Sequence, residues 1–284
     1  MTADYWSDVR RYGWDELWMN HPAVRERINR RVTGDPALWP IQWLASAVPG
    51  RVPFPRAANL GCGTGHLEAS LLDHGVVSRV TGVDRSAEAI DEARRRTEDA
   101  GQGDKASFVV AEAVAFLERE RDLDAVFFHA SLHHFERPSE ILGLVRRALR
   151  PSGVLYVDEY VGPARHEWTA RHLLRWNALY RTLPAAVRRT RVIRFPVNRE
   201  DPTEAVASSA ILPAITEHFR VLARRDYGGQ LLAPIYPSLR RPDQPGGPSP
   251  EVFDRVVAGL LDREDRLLAR GGESFQSVVV AEPR

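Results

Sequence analysis

The stretch Asn59-Leu60-Gly61-Cys62-Gly63-Thr64-Gly65, residues 59–65 in a chain of 284, decides how the rest of the sequence is interpreted. It overlaps a short apolar run at Ala57 to Leu60, which predicts a buried strand, and it precedes a helical pattern from His66 to Asp73. Glycines at alternate positions let the backbone bend sharply and approach a ligand with no Cβ atom in the way. The stretch therefore predicts a strand, a ligand-binding turn and a helix in direct succession.

Strand-like and helical patterns alternate from this turn as far as Val161. Further strands are predicted at Arg79 to Asp84, Ser107 to Ala111, Ala125 to His129 and Val154 to Val161. Helices are predicted at Ser86 to Ala100, Val114 to Arg119 and Pro138 to Leu149, with a turn at Pro151-Ser152-Gly153. Strict alternation of this kind implies parallel strands with helices on both faces. The predicted fold class is α/β, a doubly wound, mostly parallel sheet of Rossmann-like type.

Two segments fall outside the alternation and two more strands follow it. Strands at Phe219 to Tyr227 and Phe275 to Ala281 would complete a seven-stranded sheet with an antiparallel edge. A Pro- and Gly-rich loop at 233–250 and a helix near Glu251 to Ala269 separate them. The predicted organisation is a helical N-terminal cap at 1–50, an α/β core at 51–161, a helical cap insertion at 162–217 and the C-terminal part of the core at 218–284.

Composition and charge exclude several classes of protein. Lys+Arg 39 against Asp+Glu 38 leaves no one-signed basic face for nucleic acid, and we expect the run Arg188 to Arg194 to be a solvated helix end. Cys62 is the only cysteine, so no intrachain disulfide or cysteine-cluster metal site can form, and we predict no metal site. No apolar run approaches the roughly 20 residues that span a bilayer, and the N-terminus lacks the order of a secretory signal. We expect a cytoplasmic protein with no membrane partner.

An acidic residue at the end of the second strand defines the expected ligand more closely. Asp84 lies 19 residues after Gly65 (84 minus 65), where a carboxylate can accept hydrogen bonds from both hydroxyls of a ribose. NAD is the chief alternative, because dinucleotide folds also combine a glycine-rich turn with an acid. The third residue after Gly63 is His66 in place of a glycine, and its side chain would crowd a pyrophosphate. The pattern favours a cofactor with a single nucleoside.

These residues resemble the class I S-adenosylmethionine-dependent methyltransferases, in particular those acting on small molecules. The resemblance rests on the glycine turn at 61–65, on Gly82-Val83-Asp84, on Val110 to Ala113, on His129 to Phe135 and on Arg147 to Leu155. It is close over residues 57–161 and loose over 218–281. It implies S-adenosyl-L-methionine as cofactor and S-adenosyl-L-homocysteine as product, in a Rossmann-like fold.

The resemblance also implies which residues bind the cofactor. They are those of the turn and of the next three strand ends: Gly61, Cys62, Gly63, Gly65, Asp84, Arg85, Glu112, Ala113 and His129. The chain departs from the family at two positions. Asn59 stands where an acid is common, so an indirect contact to the methionine ammonium is altered. Glu112 stands where Asp is usual, and it can still reach the adenine amino group.

Candidate catalytic residues lie beyond the fourth and fifth strands, at the carboxyl edge of the sheet where α/β proteins bind ligands. His133 and His134 have the side chain best suited to act as a general base near neutral pH, and we expect one of them, not both, to do so. The alternative for each is a role in capping the turn or in packing beneath the cofactor. Glu159 could orient an N–H or O–H group of the acceptor.

Aromatic residues predict the character of the acceptor pocket. All seven Trp lie in the two segments outside the α/β core, at positions 6, 14, 18, 39, 43, 168 and 176. An aromatic-walled pocket for a flat or apolar molecule would follow, although ordinary packing of the caps gives the same distribution. The residues expected to bind the acceptor are Tyr12, Trp14, Trp18, Tyr160 and Trp168.

The leading hypothesis is an enzyme of secondary metabolism that methylates O, N or C of a small aromatic or heteroaromatic acceptor, with an indole as one candidate. Two alternatives stay open: an RNA or protein methyltransferase, and a non-catalytic partner that binds S-adenosylmethionine. The balanced charge and the absence of an Asn-Pro-Pro-type motif argue against RNA. A homodimer is a further expectation, because Trp-rich covers favour association.

Overall fold

One seven-stranded sheet organises the chain in the computed structural model, which describes residues 17–198 and 200–284. The strands lie in the order β3-β2-β1-β4-β5-β7-β6. Their bounds are β1 Ala57–Leu60, β2 Val80–Asp84, β3 Ala106–Val110, β4 Leu123–His129, β5 Leu149–Tyr160, β6 Phe219–Gly228 and β7 Gln276–Pro283. Strands β1 to β5 are parallel, and β7 is antiparallel to both β5 and β6. The predicted doubly wound, mostly parallel sheet is confirmed.

Helices cover both faces of this sheet. Within the described ranges they are α1 Pro22–Thr33, α2 Pro40–Ala47, α3 His66–Asp73, α4 Ala87–Asp99, α5 Ala113–Arg119, α6 Pro138–Ala148, α7 Ala170–Arg181, α8 Ile211–His218, α9 Leu232–Ile235 and α10 Pro250–Ala269. Alternate residues of each central strand point to opposite faces. In β4, Phe127 packs into the core shared with α1, α2, α7 and α10, while Val126 and Phe128 pack into the core beneath α5, α6 and α8.

The order of the strands creates a crevice at the end of β1. This strand pairs with β2 on one side and with β4 on the other, so successive connections run to opposite sides of the sheet. Ligands of open α/β sheets bind outside the carboxyl ends of the strands at such a reversal. The glycine turn at 61–65 lies at this point.

The antiparallel edge brings three strand ends together. Strand β7 lies between β5 and β6, and Gln276 at its start pairs with Tyr160 at the end of β5 and with Gly228 at the end of β6. The predicted antiparallel pair of closing strands is confirmed. The intervening loop, expected to be irregular, contains α9, whose Leu232 and Ile235 are fully buried.

Two local expectations are wrong. Strand β5 begins at Leu149, before the predicted turn. Leu149 already pairs with Leu123 of β4, the next pair is Val154 with Ala125, and residues 150–153 between them form a bulge. A bulge tolerates Pro151, which has no N–H to donate. The arginine run at 188–194 is not a helix end: it follows a single 3-10 turn at Ala185–Val187 and then runs as a non-helical segment.

Helix α1, which precedes the sheet in the chain, packs against α10, which precedes the last strand. Arg31 of α1 forms an ion pair with Asp265 of α10 at 2.7 Å, and Val24, Ile28 and Val32 are buried beneath it. Within the described parts of the chain, none of the helices has both the length and the apolar composition needed to cross a bilayer.

Candidate functional site

The glycine turn has the backbone conformation that its sequence predicted. Gly61, Gly63 and Gly65 all have positive φ, at 71°, 53° and 76°. A Cβ atom on Gly61 would lie 2.6 Å from Cβ of Ser131, so the turn passes directly against the end of β4. A Cβ atom on Gly65 would lie 2.8 Å from Cβ of Ala93 in α4. Gly65, predicted to bind the cofactor, does not line the cavity described below and instead allows α3 and α4 to pack closely.

Asp84 is tied to this turn through its carboxylate. Its Oδ2 accepts a hydrogen bond from the backbone N–H of Gly63 at 2.9 Å, and its Oδ1 accepts one from Ser86 at 2.9 Å. Burial raises the pKa of the Asp84 carboxyl, and these two backbone hydrogen bonds oppose that rise by stabilising the charged form. The acid is therefore held at the mouth of the crevice in a fixed orientation, with further lone pairs available.

A cavity of about 600 Å³ opens from the turn across the carboxyl edge of the sheet. Eight of the nine predicted cofactor-binding residues line it: Gly61, Cys62, Gly63, Asp84, Arg85, Glu112, Ala113 and His129. The turn borders the cavity at Gly61 and Gly63, and the carboxylate of Asp84 stands beside it where a ribose would lie. These residues fit a nucleoside cofactor.

A buried acid lies behind the cofactor side of the crevice. Glu68 of α3 is 0% exposed, and its Oε1 accepts a hydrogen bond from Nδ2 of Asn59 at 2.9 Å. Gly82 leaves room for it, since a Cβ atom there would lie 2.8 Å from Oε1. Burial raises the pKa of the Glu68 carboxyl to about 7, although the bond from Asn59 opposes this. Where the family often has an acid, this chain therefore has the amide of Asn59, which donates to the buried carboxyl of Glu68.

The predicted catalytic residues His133 and Glu159 are in direct contact. Glu159 is 1% exposed, and its Oε2 lies 2.7 Å from Nδ1 of His133. Its Oε1 accepts hydrogen bonds from the backbone N–H groups of Ser131, at 2.5 Å, and Leu132. Glu159 does not line the cavity, so it can act on an acceptor only through His133.

The second imidazole contacts a loop that sequence reasoning did not single out. Nδ1 of His134 lies 3.1 Å from the hydroxyl of Thr203 and 3.6 Å from Oδ2 of Asp201. Oε2 of Glu204 lies 3.8 Å from Nε2 of His133 and 4.0 Å from Nε2 of His134. No sequence signal distinguishes the acids at 201 and 204 from the other acids of this chain, because their position depends on the folded loop.

The charges of this group are strongly coupled. Burial disfavours the imidazolium of His133, but Glu159 and Glu204 together outweigh that effect and raise its pKa to about 10. Burial and the neighbouring charge of His133 lower the pKa of His134 to about 4. Burial also disfavours the Glu204 carboxylate, yet its interactions with the imidazoles lower its pKa to about 2. At neutral pH the ligand-free cluster therefore carries its proton on His133.

A second polar group lies on the other side of β5 and reaches the cavity through His129. Asp158 accepts a hydrogen bond from the hydroxyl of Tyr227 at 2.7 Å, and its Oδ2 lies 3.9 Å from Nε2 of His129. Burial raises the pKa of the Asp158 carboxyl, while His129 and Tyr227 oppose the rise. Strand alternation thus separates the environments of Asp158 and Glu159.

Aromatic side chains form an apolar wall of this cavity. Trp18, Tyr160 and Trp168, all predicted to bind the acceptor, line the cavity together with Phe275. Trp168 and Tyr160 meet the ring of Phe275 edge to face, with centroids 5.8 and 6.1 Å apart. Phe275 was missed because it lies beyond the last helix, just before β7. The remaining two predicted residues, Tyr12 and Trp14, lie outside the described residues.

Comparisons with known proteins agree with this geometry. A family model described as "Methyltransferase domain" matches residues 58–157. Among curated proteins, the ubiquinone/menaquinone biosynthesis C-methyltransferase of Paracoccus denitrificans is 31% identical over 98 residues, which are 34% of this chain and 39% of that protein. The trans-aconitate 2-methyltransferase of Escherichia coli is 35% identical over 101 residues, 36% of this chain and 37% of that protein. The chain spans less than half the length of the curated relatives it matches.

A solved structure extends the likeness of the fold over the whole chain. The geranyl diphosphate C-methyltransferase of Streptomyces coelicolor A3(2) is 16% identical, with a TM-score of 0.52 and coverage of 99% of both chains. At this identity the likeness concerns the fold alone.

The fold and the glycine turn with its acid define a nucleoside-cofactor protein of the doubly wound α/β class. Residues 58–157 match a methyltransferase domain, and over this range the chain is similar to the class I S-adenosylmethionine-dependent methyltransferases. The resemblance stated from the sequence motifs is confirmed.

Proposed function

We propose that this protein transfers a methyl group from S-adenosyl-L-methionine to a small, flat acceptor molecule. The observation that carries the proposal is a single cavity. It joins the glycine turn and Asp84 at one end to His133, Tyr160 and Trp168 at the other. A cofactor on the turn and an acceptor against the aromatic wall would share one enclosed space.

The cofactor end of the cavity would hold the adenosyl group through residues of three strand ends. Asp84 would accept the ribose hydroxyls, and Glu112 would face the adenine amino group, while the turn at 61–63 gives the backbone room to approach. Bound S-adenosyl-L-methionine supplies an electrophilic methyl group on a sulfonium centre. The protein's task is then to align the acceptor atom with that methyl group and to exclude water.

The acceptor end combines an apolar wall with a polar floor. Trp18, Tyr160 and Trp168 offer flat apolar surfaces, which favour an aromatic or heteroaromatic ring. Against them stand His133 and His134, and we propose that this polar floor orients the acceptor nucleophile and receives its proton. Glu159 acts as a positioning residue, because it touches Nδ1 of His133 from behind.

The identity of the acceptor is the finer part of the proposal. An oxygen, nitrogen or carbon nucleophile is compatible with this floor, and an indole-type ring would match the aromatic wall, with a carboxylate to accept its N–H. A role in secondary metabolism, a cytoplasmic location and a homodimer are proposed on the sequence reasoning alone.

Binding of S-adenosyl-L-homocysteine tests the cofactor end directly. Replacing Asp84 with Ala should weaken binding, measured by titration calorimetry, by about 10- to 150-fold, because a hydrogen bond to a charged group contributes about 1.5–3 kcal/mol. Glu118→Gln, at an exposed position of α5, is the matched control and should bind as the parent does. Unchanged affinity in folded Asp84→Ala protein would contradict the proposed ribose contact.

Mass spectrometry tests the acceptor end. The protein, incubated with S-adenosyl-L-methionine and a panel of aromatic and heteroaromatic compounds, should add one methyl group to some of them. Methylation confined to RNA or to protein substrates would instead support the alternative class of acceptor.

A further inference from the structure

Two imidazoles and one carboxylate converge at the floor of the acceptor pocket. One donor atom from each of His133, His134 and Glu204 lies within 4.8 Å of the other two. All three side chains line the cavity, so the point between them is open to a ligand. Two histidines and one carboxylate are the donor set of many catalytic zinc and non-haem iron sites, in which the remaining positions of the ion stay open.

The distances suit a small metal ion after slight contraction. Oε2 of Glu204 lies 3.8 Å from Nε2 of His133 and 4.0 Å from Nε2 of His134. An ion with metal-to-ligand distances near 2.1 Å and tetrahedral angles would hold its donors about 3.4 Å apart. The Glu204 side chain is partly exposed, and a small movement of it would bring Oε2 to this distance from the two imidazole nitrogens.

Each imidazole is held by a contact at its Nδ1 atom, on the side away from Glu204, as histidine ligands of metal sites usually are. Nδ1 of His133 meets Glu159 at 2.7 Å, and Nδ1 of His134 meets the Thr203 hydroxyl at 3.1 Å. Contacts of this kind fix which ring nitrogen faces an ion and increase its basicity. In each ring the other nitrogen, Nε2, is the one directed towards Glu204.

The loop that carries Glu204 is pinned in place over the histidines. The backbone N–H of Val206 donates to the carbonyl of His133 at 3.2 Å, and that of Arg165 donates to the carbonyl of Ala205 at 2.8 Å. The guanidinium of Arg165 also donates to the carbonyl of Asp201 at 3.0 Å. Ala205 has a φ of +50°, a conformation that costs a non-glycine residue energy and is retained only where its surroundings enforce it.

The charge of the cluster also favours a cation. Glu159, Glu204 and Asp201 all have a carboxylate oxygen within 4.0 Å of an imidazole nitrogen. A divalent ion held between the two imidazoles would lie close to these carboxylates and would be attracted by their negative charge.

We propose that His133, His134 and Glu204 bind a divalent first-row transition-metal ion at the floor of the acceptor pocket. The proposal rests on the proposed function in one respect, namely that the open positions of the ion would face the acceptor. An acceptor oxygen or nitrogen would then contact the ion and would not contact an imidazole directly. An acceptor with two adjacent donor atoms is the class that such an ion would select. From the single cysteine we predicted no metal site, and nothing in the sequence pointed to Glu204, which is remote from the histidines along the chain.

Titration with Co²⁺ tests this assignment on the full chain after removal of metals with a chelator. The parent should take up one equivalent, detected by calorimetry and by the visible absorption of Co²⁺ with nitrogen and oxygen ligands. Glu204→Gln and His134→Ala should each weaken uptake by at least about 10-fold, and Glu159→Gln by about 10- to 100-fold, as for other groups that orient ligands. His74→Ala removes an exposed histidine at the end of α3 and should behave as the parent does.

Two results would overturn the assignment: no saturable uptake up to millimolar Co²⁺, or uptake that is unaffected by both Glu204→Gln and His134→Ala. S-adenosyl-L-homocysteine binding to the same samples separates the two proposals. Intact cofactor binding without Co²⁺ uptake rejects the metal site alone, whereas loss of cofactor binding in the parent rejects the proposed function.

Discussion

Replacing Glu68 with Gln should make the protein more stable at neutral pH and leave its stability in mild acid nearly unchanged. Glu68 is 0% exposed beneath the glycine turn, and its Oε1 accepts a hydrogen bond from Asn59 at 2.9 Å. Among the described residues, Oε2 has no hydrogen-bond partner. Asp84, which lies nearby, adds a second negative charge that disfavours ionisation of Glu68. Glutamine has a similar volume and accepts the same hydrogen bond but cannot ionise.

The magnitude follows from the two pKa values of this carboxyl. Burial raises the pKa from 4.5 to about 7 in the folded chain. The folded state therefore binds more protons than the unfolded state between these pH values, and the free energy of unfolding falls as pH rises through that window. A rise of this size corresponds to about 3 kcal/mol, since one pKa unit is about 1.4 kcal/mol. The stability contributed by the neutral acid is present below pH 4.5 and lost above about pH 7.

Urea denaturation at a series of pH values between 5 and 8 measures this directly. The difference between Glu68→Gln and the parent should grow with pH and reach about 2–3 kcal/mol in favour of the variant. Glu118→Gln removes an exposed carboxyl and should show no such growth. A difference that stays constant across the series would refute the reasoning, because it would mean that Glu68 titrates alike in the folded and unfolded chains.

Two further substitutions test packing near the site. Gly65→Ala should lower the free energy of unfolding by more than the 1–3 kcal/mol typical of a strained φ, because the new Cβ atom would also meet Ala93 at 2.8 Å. Gly75→Ala, where φ is +61° and the space is open, measures the backbone cost alone, and equal losses in the two variants would contradict the contact with Ala93. Trp176→Phe should lower the free energy of unfolding by about 2–4 kcal/mol, because it deletes a hydrogen bond from a ring that is 1% exposed. The control Trp39→Phe, at a ring that is 48% exposed, should change that free energy by less than about 0.5 kcal/mol. A loss in Trp176→Phe no larger than in the control would argue against its role beneath the acceptor wall.

The parallel part of the sheet was predictable because its signals are local. The run at Ala57 to Leu60 and the pattern at His66 to Asp73 become β1 and α3 with the predicted bounds, since short buried strands and glycine turns leave clear marks in the sequence. The start of β5 was not predictable: Pro151 and Gly153 are turn formers, and only the neighbouring β4 keeps them within a bulged strand. Tertiary pairing there overrides the local preference.

The cofactor end of the site was likewise predictable from local sequence signals, whereas the group around Glu204 was not. Asp84 and Glu112 follow strands directly, so the rule that parallel strands end at one edge brings them together without further information. Glu204 reaches His133 only because the loop before α8 folds back and is held by the Arg165 guanidinium. Such a contact joins residues about seventy positions apart in the chain (204 minus 133) and has no periodicity or spacing that marks it.

One segment that borders the cavity is held by buried hydrogen bonds, which under the proposed function bears on how an acceptor is selected. The segment at 229–231 follows β6 and borders the cavity at Gly229. Its carbonyl at Gln230 accepts the indole N–H of Trp176 at 3.0 Å, and its N–H at Leu231 donates to the buried Glu264 of α10 at 2.8 Å. Two helices that are distant in sequence thus hold one short segment through buried hydrogen bonds, whose loss would leave polar groups unpaired. A segment anchored in this way would resist displacement by a bulky acceptor, so under the proposed function we expect selection by shape near Gly229 and selection by chemistry at the histidines.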